Sequence, residues 1–273
     1  MANSRTDENV YSEPITERAS LDDSLGTILL IHGSAPFNAD GLIPGASRDL
    51  RYANDPFFRD LSLRLRTKGL TVTRYSKPGV SDTRVDFTVY RRTNYRCLCK
   101  QLQRIWLTLP NDRPRLVFAW SEGSLLVRAL PLSQISGVIL LGGIATNIGD
   151  VIAAQGGPDS SQMKQMLMSR GPTDMLGIDR PVGRLLDELD LEDNWRTFLP
   201  YPNLPLLILH GEKDEEVNVQ QARTWREHLP NHDLTVRIGD RLDHRYMPSG
   251  LYKPDLLSDE IFTWLNENFV EPT

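Results

Sequence analysis

The sequence predicts an α/β protein with a mostly parallel central sheet flanked by helices. Two observations predict it. Short apolar runs bounded by Gly, Pro or polar turns are typical of buried strands, and segments with helical spacing separate these runs. Because strands that alternate with helices form right-handed βαβ units, we expect most of the strands to pair in parallel.

Six apolar runs predict the strands of the sheet. They cover residues 27–32, 70–75, 116–120, 137–141, 204–210 and 234–238. The polar segment 1–24 is predicted to be a loose tail that adds one edge strand around residues 9–15. Helices are predicted between the strands, at residues 55–68, 87–109, 122–132, 218–229 and 258–268.

Residues 147–200 interrupt this alternation, since they are far longer than a loop between a strand and a helix needs to be. We predict a helical lid here, inserted after the strand at 137–141, and an α/β core formed by 25–146 and 201–273. The helical pieces of the lid are predicted at 160–169, 182–189 and 191–199. Four of the six methionines fall in this insertion. Met163 and Met166 among them either pack in a core or offer a substrate an adaptable apolar surface.

Composition excludes several classes of function. The 273 residues include 31 basic and 36 acidic side chains, a formal net charge of −5, which argues against binding to nucleic acid. No apolar run reaches the ~18 residues of a membrane span, and the start of the chain lacks the apolar stretch of a signal peptide. Cys97 and Cys99, the only cysteines, are expected to be free thiols of a cytoplasmic protein. No ligand cluster predicts a metal site, and the oligomeric state stays open.

A serine lies at the turn between a predicted strand and a predicted helix. Strand 116–120 runs into Ser121, and the sequence AWSEG at 119–123 matches the G-x-S-x-G pattern of a nucleophilic serine except at its first position. Small residues flank such a serine because the backbone packs tightly around a strained turn. A lone serine at this place is more often a helix N-cap. The nucleophile hypothesis therefore depends on partners elsewhere in the chain.

Candidate partners follow in the order acid, then histidine. Asp214 comes just after strand 204–210, and His244 follows strand 234–238. The carboxyl ends of parallel strands meet at one edge of a sheet, where active sites of open α/β sheets gather. Imidazole suits a general base because its pKa of about 6.5 lies near working pH, and a buried carboxylate would orient it. Trp120 and Tyr246, beside these residues, either line the pocket or pack in the core.

Other charged and imidazole side chains compete for these roles. His32 and His210 end strands next to a glycine and are expected to be packed and hydrogen-bonded, while Arg74 and Lys77 precede a turn and are expected to be solvated. The remaining rivals lie in polar surroundings and are expected to be exposed: Glu212, Glu215, Asp240, His228 and His232.

Four stretches of the sequence resemble the α/β-hydrolase superfamily. They are LLIHGSAPFNADG at 29–41, RYSKPGV at 74–80, AWSEGS at 119–124, and LHGEKDEEV at 209–217 together with GDRLDH at 239–244. The first and third look most like bacterial serine hydrolases of the dienelactone-hydrolase and acyl-thioesterase-like branch. The resemblance covers residues 27–270 and implies the α/β-hydrolase fold.

The resemblance also implies roles for individual residues. The nucleophile, the orienting acid and the general base would be Ser121, Asp214 and His244. An oxyanion hole would be formed by the backbone amides of Glu122 and Ser34, with Ala35 as the alternative to Ser34. Neither a metal nor an organic cofactor is implied.

These observations favour a serine hydrolase that cleaves a small-molecule carboxylic ester or thioester with an apolar acyl part. An amidase or peptidase would use the same residues. A non-hydrolytic enzyme of the same fold, such as an acyltransferase, lyase or cyclase, is the main alternative, because fold does not fix function. A non-catalytic binder of small molecules is a further one.

Overall fold

The computed structural model describes residues 11–20, 25–47, 53–177, 179–248 and 251–270, and these residues contain a central sheet of seven strands. A two-stranded hairpin lies outside that sheet. In chain order the strands are β1 (Ile15–Glu17), β2 (Gly26–Ile31), β3 (Leu70–Arg74), β4 (Arg115–Trp120), β5 (Gly137–Leu141), β6 (Met175–Leu176), β7 (Arg180–Pro181), β8 (Leu206–Gly211) and β9 (Leu234–Gly239).

The central sheet has the order β1-β3-β2-β4-β5-β8-β9. All neighbouring strands pair in parallel except β1, which runs antiparallel to β3 at the edge. The prediction of a mostly parallel sheet is confirmed. The edge strand lies later than predicted, because Pro14 has no backbone N–H to donate to a ladder and pairing starts at Ile15. Residues 9 and 10 of the predicted strand, like most of the predicted tail, lie outside the described residues.

In chain order the α-helices lie between strands, except for the last one, which follows the final strand. They are α1 (Phe57–Thr67), α2 (Phe87–Tyr90), α3 (Tyr95–Thr108), α4 (Gly123–Leu126), α5 (Ile148–Ala154), α6 (Ser160–Met168), α7 (Val182–Leu189), α8 (Gln220–His228) and α9 (Asp255–Phe269). Three 3₁₀ turns occupy Val127–Ala129, Leu132–Gln134 and Asn194–Phe198.

Two predicted helices are divided in the structure. The prediction of one helix over 87–109 is wrong, because Asn94 acts as a new N-cap and its side chain accepts a hydrogen bond of 2.9 Å from the Cys97 amide. The predicted helix 122–132 is only four residues of α-helix followed by 3₁₀ turns. Pro131 ends it, since proline cannot continue the helical hydrogen-bond pattern.

Apolar clusters cover both faces of the sheet. Ile28 and Leu30 of β2 join one cluster together with α1 and α9, whereas Leu29 and Ile31 join the other together with α3 and α8. Successive side chains of a strand point to opposite faces. A strand buried on both faces is therefore apolar at every position, as parallel strands under helices are.

The insertion at 147–200 lies between β5 and β8 and contains α5, α6, the β6–β7 hairpin and α7. The helix predicted at 182–189 matches α7, and that at 160–169 matches α6 to within one residue. The piece predicted at 191–199 is instead a 3₁₀ turn, and α5 and the hairpin were not predicted. A third apolar cluster joins the insertion to Leu125, Ile144 and Val217 of the core.

None of the helices in the described part of the chain is long and apolar enough to cross a bilayer. Both cysteines lie in or beside the first turns of α3 and are free and half-buried.

Candidate active site

Ser121 occupies a strained turn between β4 and α4. Its φ is +56°, in the left-handed region that non-glycine residues rarely adopt, and its amide donates to the Leu141 carbonyl at 2.8 Å. A Cβ at Gly123 would lie 2.6 Å from the His32 carbonyl oxygen, so the turn requires glycine there. A strained turn that is held by β2 and β5 on both sides presents Ser121 at the carboxyl edge of the sheet.

The candidate acid and base are hydrogen-bonded to each other. His244 Nδ1 lies 2.7 Å from Asp214 Oδ2, and both side chains are buried. Asp214 Oδ1 accepts the amides of Glu216 and Val217 at 2.9 and 2.8 Å, which fixes the carboxylate in its loop after β8. The carboxylate is therefore oriented by its own loop and in turn orients the imidazole.

Two histidines hold the Asp214 carboxylate in its ionised form. Burial alone would raise its pKa, but the charge of His244 and the hydrogen bonds from His210 and His244 outweigh burial and lower the pKa below its usual range. His210 Nε2 lies 3.2 Å from Asp214 Oδ2 and 2.8 Å from the Val217 carbonyl oxygen. His210 was expected to be packed and hydrogen-bonded, and the structure places it against the candidate acid.

The His244 ring packs against Gly142, where a side chain would clash with it. This glycine follows β5 with a φ of +54°, and a Cβ there would lie 2.8 Å from His244 Cε1 and 3.3 Å from Asp214 Oδ2. The sequence signal for this glycine is the Gly-Gly pair directly after the predicted strand 137–141, which no motif connects to the site.

A cavity of about 450 Å³ opens beside these residues. Ser121 and His244 both line it, together with Ser34 and Ala35 of the loop after β2. Much of the remaining wall is apolar and comes from the insertion and its neighbours: Ile144, Ile148, Val151, Ile152, Leu176, Leu185 and Val217. Ser121, Asp214 and His244, which are distant in sequence, thus converge on one pocket.

Only one of the four residues predicted to contact substrate lines this cavity. Trp120 does, and its indole Nε1 also donates to the His244 carbonyl at 3.1 Å. Met163 packs in the third apolar cluster with Leu167, one helical turn along α6, so Met166 lies on another face and is 61% exposed. Tyr246 is buried in the core on the α1 and α9 side of the sheet. The structure therefore does not bring Met163, Met166 or Tyr246 to the cavity.

The backbone amides predicted to form an oxyanion hole have no acceptor among the residues that the structure describes. Within the described part of the chain, the N–H groups of Ser34, Ala35 and Glu122 donate no hydrogen bond. Glu122 does not itself line the cavity, but its amide belongs to the peptide unit that starts at Ser121. Amides in this state can stabilise negative charge that develops on a substrate oxygen.

A buried cluster of charges lies behind Ser121 and was not predicted. The Glu122 carboxylate lies 3.6 Å from Lys77 Nζ, 2.9 Å from Arg180 Nε and 3.6 Å from Arg184 Nε. Glu188 completes the cluster at 3.6 Å from Arg180 Nε and 3.9 Å from Arg184 Nε. We call these five residues the charge cluster. It joins the turn after the proposed nucleophile to the insertion.

The expectation that Arg74 and Lys77 are solvated is wrong. Lys77 is fully buried in the charge cluster, and Arg74 is buried with its Nε 3.1 Å from Glu17 Oε2. Both cations find carboxylates that are distant in sequence, which removes the cost of burying an unpaired charge. No local pattern reveals such partners.

Two further histidines, His32 and His228, make packing or hydrogen-bond contacts away from Ser121 and Asp214. His32 is buried with its Nε2 2.6 Å from the Tyr75 carbonyl oxygen and its ring stacked on Phe58, and burial lowers its pKa to about 3. His228 is exposed and stacks on Trp195. Among the described residues, no group of three or more His, Cys, Asp or Glu side chains is arranged so that it could hold a metal ion.

No family model and no curated protein matches the sequence. The fold is nevertheless similar to that of several solved structures. Est1E from Butyrivibrio proteoclasticus with bound ferulic acid has a TM-score of 0.62 at 11% identity, covering 95% of this chain and 96% of its own. A monoglyceride lipase variant from Saccharomyces cerevisiae has a TM-score of 0.66 at 12% identity, covering 94% and 91%.

A third similar structure is the mouse alpha/beta hydrolase domain-containing protein 10. Its TM-score is 0.63 at 14% identity, and the match covers 93% of each chain. Such low identities carry information about the fold alone. The chain therefore has the α/β-hydrolase fold, as the resemblance of its motifs implied.

Proposed function

We propose that this chain of α/β-hydrolase fold is a serine hydrolase that cleaves a carboxylic ester or thioester through an acyl-enzyme on Ser121. The observation that carries the proposal is the hydrogen bond of 2.7 Å between His244 Nδ1 and Asp214 Oδ2, on a cavity that His244 shares with Ser121. A nucleophile, a base and a group that orients the base are the parts that nucleophilic catalysis by serine requires.

In the proposed reaction, Ser121 Oγ attacks the carbonyl carbon of the ester while His244 Nε2 takes its proton. The carbonyl oxygen becomes an oxyanion that accepts hydrogen bonds from the amides of Glu122 and of Ser34 or Ala35. Collapse of this intermediate breaks the bond to the alcohol or thiol, which leaves with the proton from His244. Water then repeats the sequence on the acyl-enzyme, releases the acid and restores Ser121.

The cavity wall favours an apolar acyl group. Seven of the 19 residues that line the cavity are aliphatic and come from the insertion and from the loops after β5 and β8. A volume of about 450 Å³ is at the small end of the range for ligand pockets. The structural likeness to Est1E with bound ferulic acid and to a monoglyceride lipase agrees with an ester substrate. We include in the proposal that residues 147–200 act as a lid over this site.

A fluorophosphonate probe tests the nucleophile directly. The wild-type chain is expected to gain the mass of one phosphonyl adduct, while Ser121→Ala gains none. Ser169→Ala is the matched control, because Ser169 is an exposed serine of the insertion whose hydroxyl only caps the carbonyl of Met166. A folded wild-type chain that gains no adduct, or an adduct that persists in Ser121→Ala, would contradict the proposal.

Panels of p-nitrophenyl esters and of acyl thioesters with increasing chain length then define the substrate. We expect kcat/KM to rise with acyl length until the chain fills the apolar cavity and to fall beyond it. Equal rates for all lengths would show that the acyl group does not enter this cavity.

A further inference from the structure

Two backbone carbonyl groups beside the proposed oxyanion hole accept hydrogen bonds from buried side chains. Lys77 Nζ donates to the Gly33 carbonyl and, at 3.0 Å, to the Ser34 carbonyl. The Ser34 carbonyl also accepts from Arg184 Nη2 at 2.7 Å and from the Tyr90 hydroxyl at 2.9 Å. The Tyr90 hydroxyl is also 2.6 Å from the Asp179 carbonyl, so it shares its single proton between these two acceptors.

These carbonyl groups belong to the peptide units that carry the proposed oxyanion donors. The carbonyl of Gly33 and the N–H of Ser34 are parts of one conjugated amide, as are the carbonyl of Ser34 and the N–H of Ala35. A cation bound to the oxygen end of an amide draws electron density toward that end and makes the N–H a stronger donor, as in a chain of hydrogen bonds that polarise one another. Charge-assisted bonds have the largest effect of this kind.

The same side chains also connect the two halves of the proposed hole. Lys77 and Arg184 are ion-paired with the Glu122 carboxylate, and the amide of Glu122 is the other proposed donor. Burial lowers the pKa of Lys77 to about 7, while the charge of Glu122 acts in the opposite direction and favours the ammonium form. Glu122 thus supports the charge that Lys77 needs in order to polarise the loop of Gly33 and Ser34.

We propose that Lys77, Tyr90 and Arg184 are positioning residues of the oxyanion hole, which fix and polarise the peptide units that donate the Ser34 and Ala35 N–H groups. This inference rests on the proposed function. Lys77 and Arg184 of the charge cluster would then stabilise the transition state. The cluster would also have the structural role of joining the insertion to the core. An effect of this kind appears in the binding of a tetrahedral oxyanion and not in the binding of a planar, neutral ketone.

The experiment compares kcat, KM and two inhibition constants in wild type, Lys77→Met and Tyr90→Phe. A trifluoromethyl ketone measures oxyanion binding, because Ser121 Oγ adds to its carbonyl carbon, the proton passes to His244 and the oxygen becomes the anion. The matching methyl ketone, whose carbonyl carbon is not activated by fluorine and stays planar and neutral, measures binding without an oxyanion. Tyr95→Phe is the matched control, since the Tyr95 hydroxyl donates to a backbone carbonyl, that of Leu125, at 2.8 Å outside the proposed hole.

We expect Lys77→Met to lower kcat about tenfold to a hundredfold, less than the 10²–10³ lost with a whole oxyanion donor. The affinity for the trifluoromethyl ketone should fall in proportion to kcat/KM, while the affinity for the methyl ketone and KM stay near the wild-type values. Tyr90→Phe should change the same constants in the same direction, but by smaller factors. If Lys77→Met does not fold, the result for Tyr90→Phe tests the polarising role. Tyr95→Phe should change none of these constants.

Two further outcomes are distinguishable from these. If the wild type turns over esters and binds the trifluoromethyl ketone, but the folded variants keep both or lose methyl-ketone binding to the same extent, the polarising role is wrong and the proposed function stands. If the wild type neither turns over esters nor binds the trifluoromethyl ketone, the inference and the proposed function are both wrong.

Discussion

Trp120 and His244 are joined by a buried hydrogen bond: the indole Nε1 of Trp120 donates to the backbone carbonyl of His244 at 3.1 Å. The two rings also pack with their centroids 5.5 Å apart. Trp120 is the last residue of β4, directly before Ser121. The bond therefore ties the strand that presents the proposed nucleophile to the loop that presents the proposed base.

Trp120→Phe is expected to lower kcat about tenfold with a smaller change in KM. The substitution keeps an aromatic ring but removes the donor, and leaving the buried carbonyl without it costs about 1–3 kcal/mol. A change of about 1.4 kcal/mol in the activation free energy corresponds to a factor of ten in rate. Trp106→Phe is the control, since its buried indole donates at 3.4 Å to Gln134 on the other side of the sheet. Steady-state kinetics on an activated ester measure both. An equal loss of kcat in the two variants would assign the effect to stability.

Asp214→Asn is expected to lower kcat about 10³–10⁴-fold while KM changes little. Both carboxylate oxygens accept hydrogen bonds, one from His244 and His210 and the other from the amides of Glu216 and Val217. An asparagine must turn its NH₂ group toward one of these sets of donors, so it either stabilises the wrong imidazole tautomer or distorts the loop. Asp174→Asn, on an exposed turn of the insertion, should retain full activity. A modest fall in Asp214→Asn would mean that another acid orients His244.

The sheet could be predicted from the sequence because each central strand is buried on both faces. The apolar run 137–141 coincides with β5, whose residues are all buried, and the Val182–Leu189 helix has an apolar face that gave its limits correctly. Ser121, Asp214 and His244 could be proposed for a related reason. Each follows a strand closely, and the carboxyl ends of parallel strands meet at one edge.

The charge cluster could not be predicted, because its contacts join residues that are far apart in sequence. Lys77 stands in an Arg-Tyr-Ser-Lys-Pro-Gly stretch that is typical of an exposed turn, and its partner Glu122 lies on another strand-to-helix turn. The prediction for Met166 was wrong for a different reason. Its residue type suggested contact with substrate, but the face of α6 on which it lies is set by the packing of Leu167.

Gly142→Ala is expected to reduce both stability and activity. The new Cβ would lie 2.8 Å from His244 Cε1, and a φ of +54° adds about 1–2 kcal/mol of strain for a non-glycine residue. The His244 ring must move, so labelling of Ser121 by a fluorophosphonate should slow. The rate should fall even at temperatures well below the melting temperature of the variant, where the chain is folded. Gly171→Ala is the control, because its Cβ would meet only Asp174 at 3.5 Å or more. Labelling at the wild-type rate would show that the imidazole does not depend on this space.

Glu188→Gln is expected to change how stability depends on pH. Burial and the neighbouring charge of Glu122 raise the pKa of Glu188 well above its usual range. A carboxyl group with a raised pKa in the folded state contributes stability that is fully present below the pKa of the unfolded chain, near 4.5, and is lost as pH rises from there through the raised pKa. Glutamine imitates the protonated form and does not titrate. The variant should therefore be closest to wild type at the acid end of the pH range and become increasingly the more stable chain toward pH 9.

Melting temperatures of both chains from pH 5 to 9 measure this difference. The gap should widen by at least about 3 °C, the shift expected for 1 kcal/mol in a chain of this size. Glu227→Gln, which removes an exposed carboxyl group from α8, should give a curve parallel to wild type. Parallel curves for Glu188→Gln as well would mean that Glu188 is ionised over this whole range, and that Arg180 and Arg184 compensate its charge.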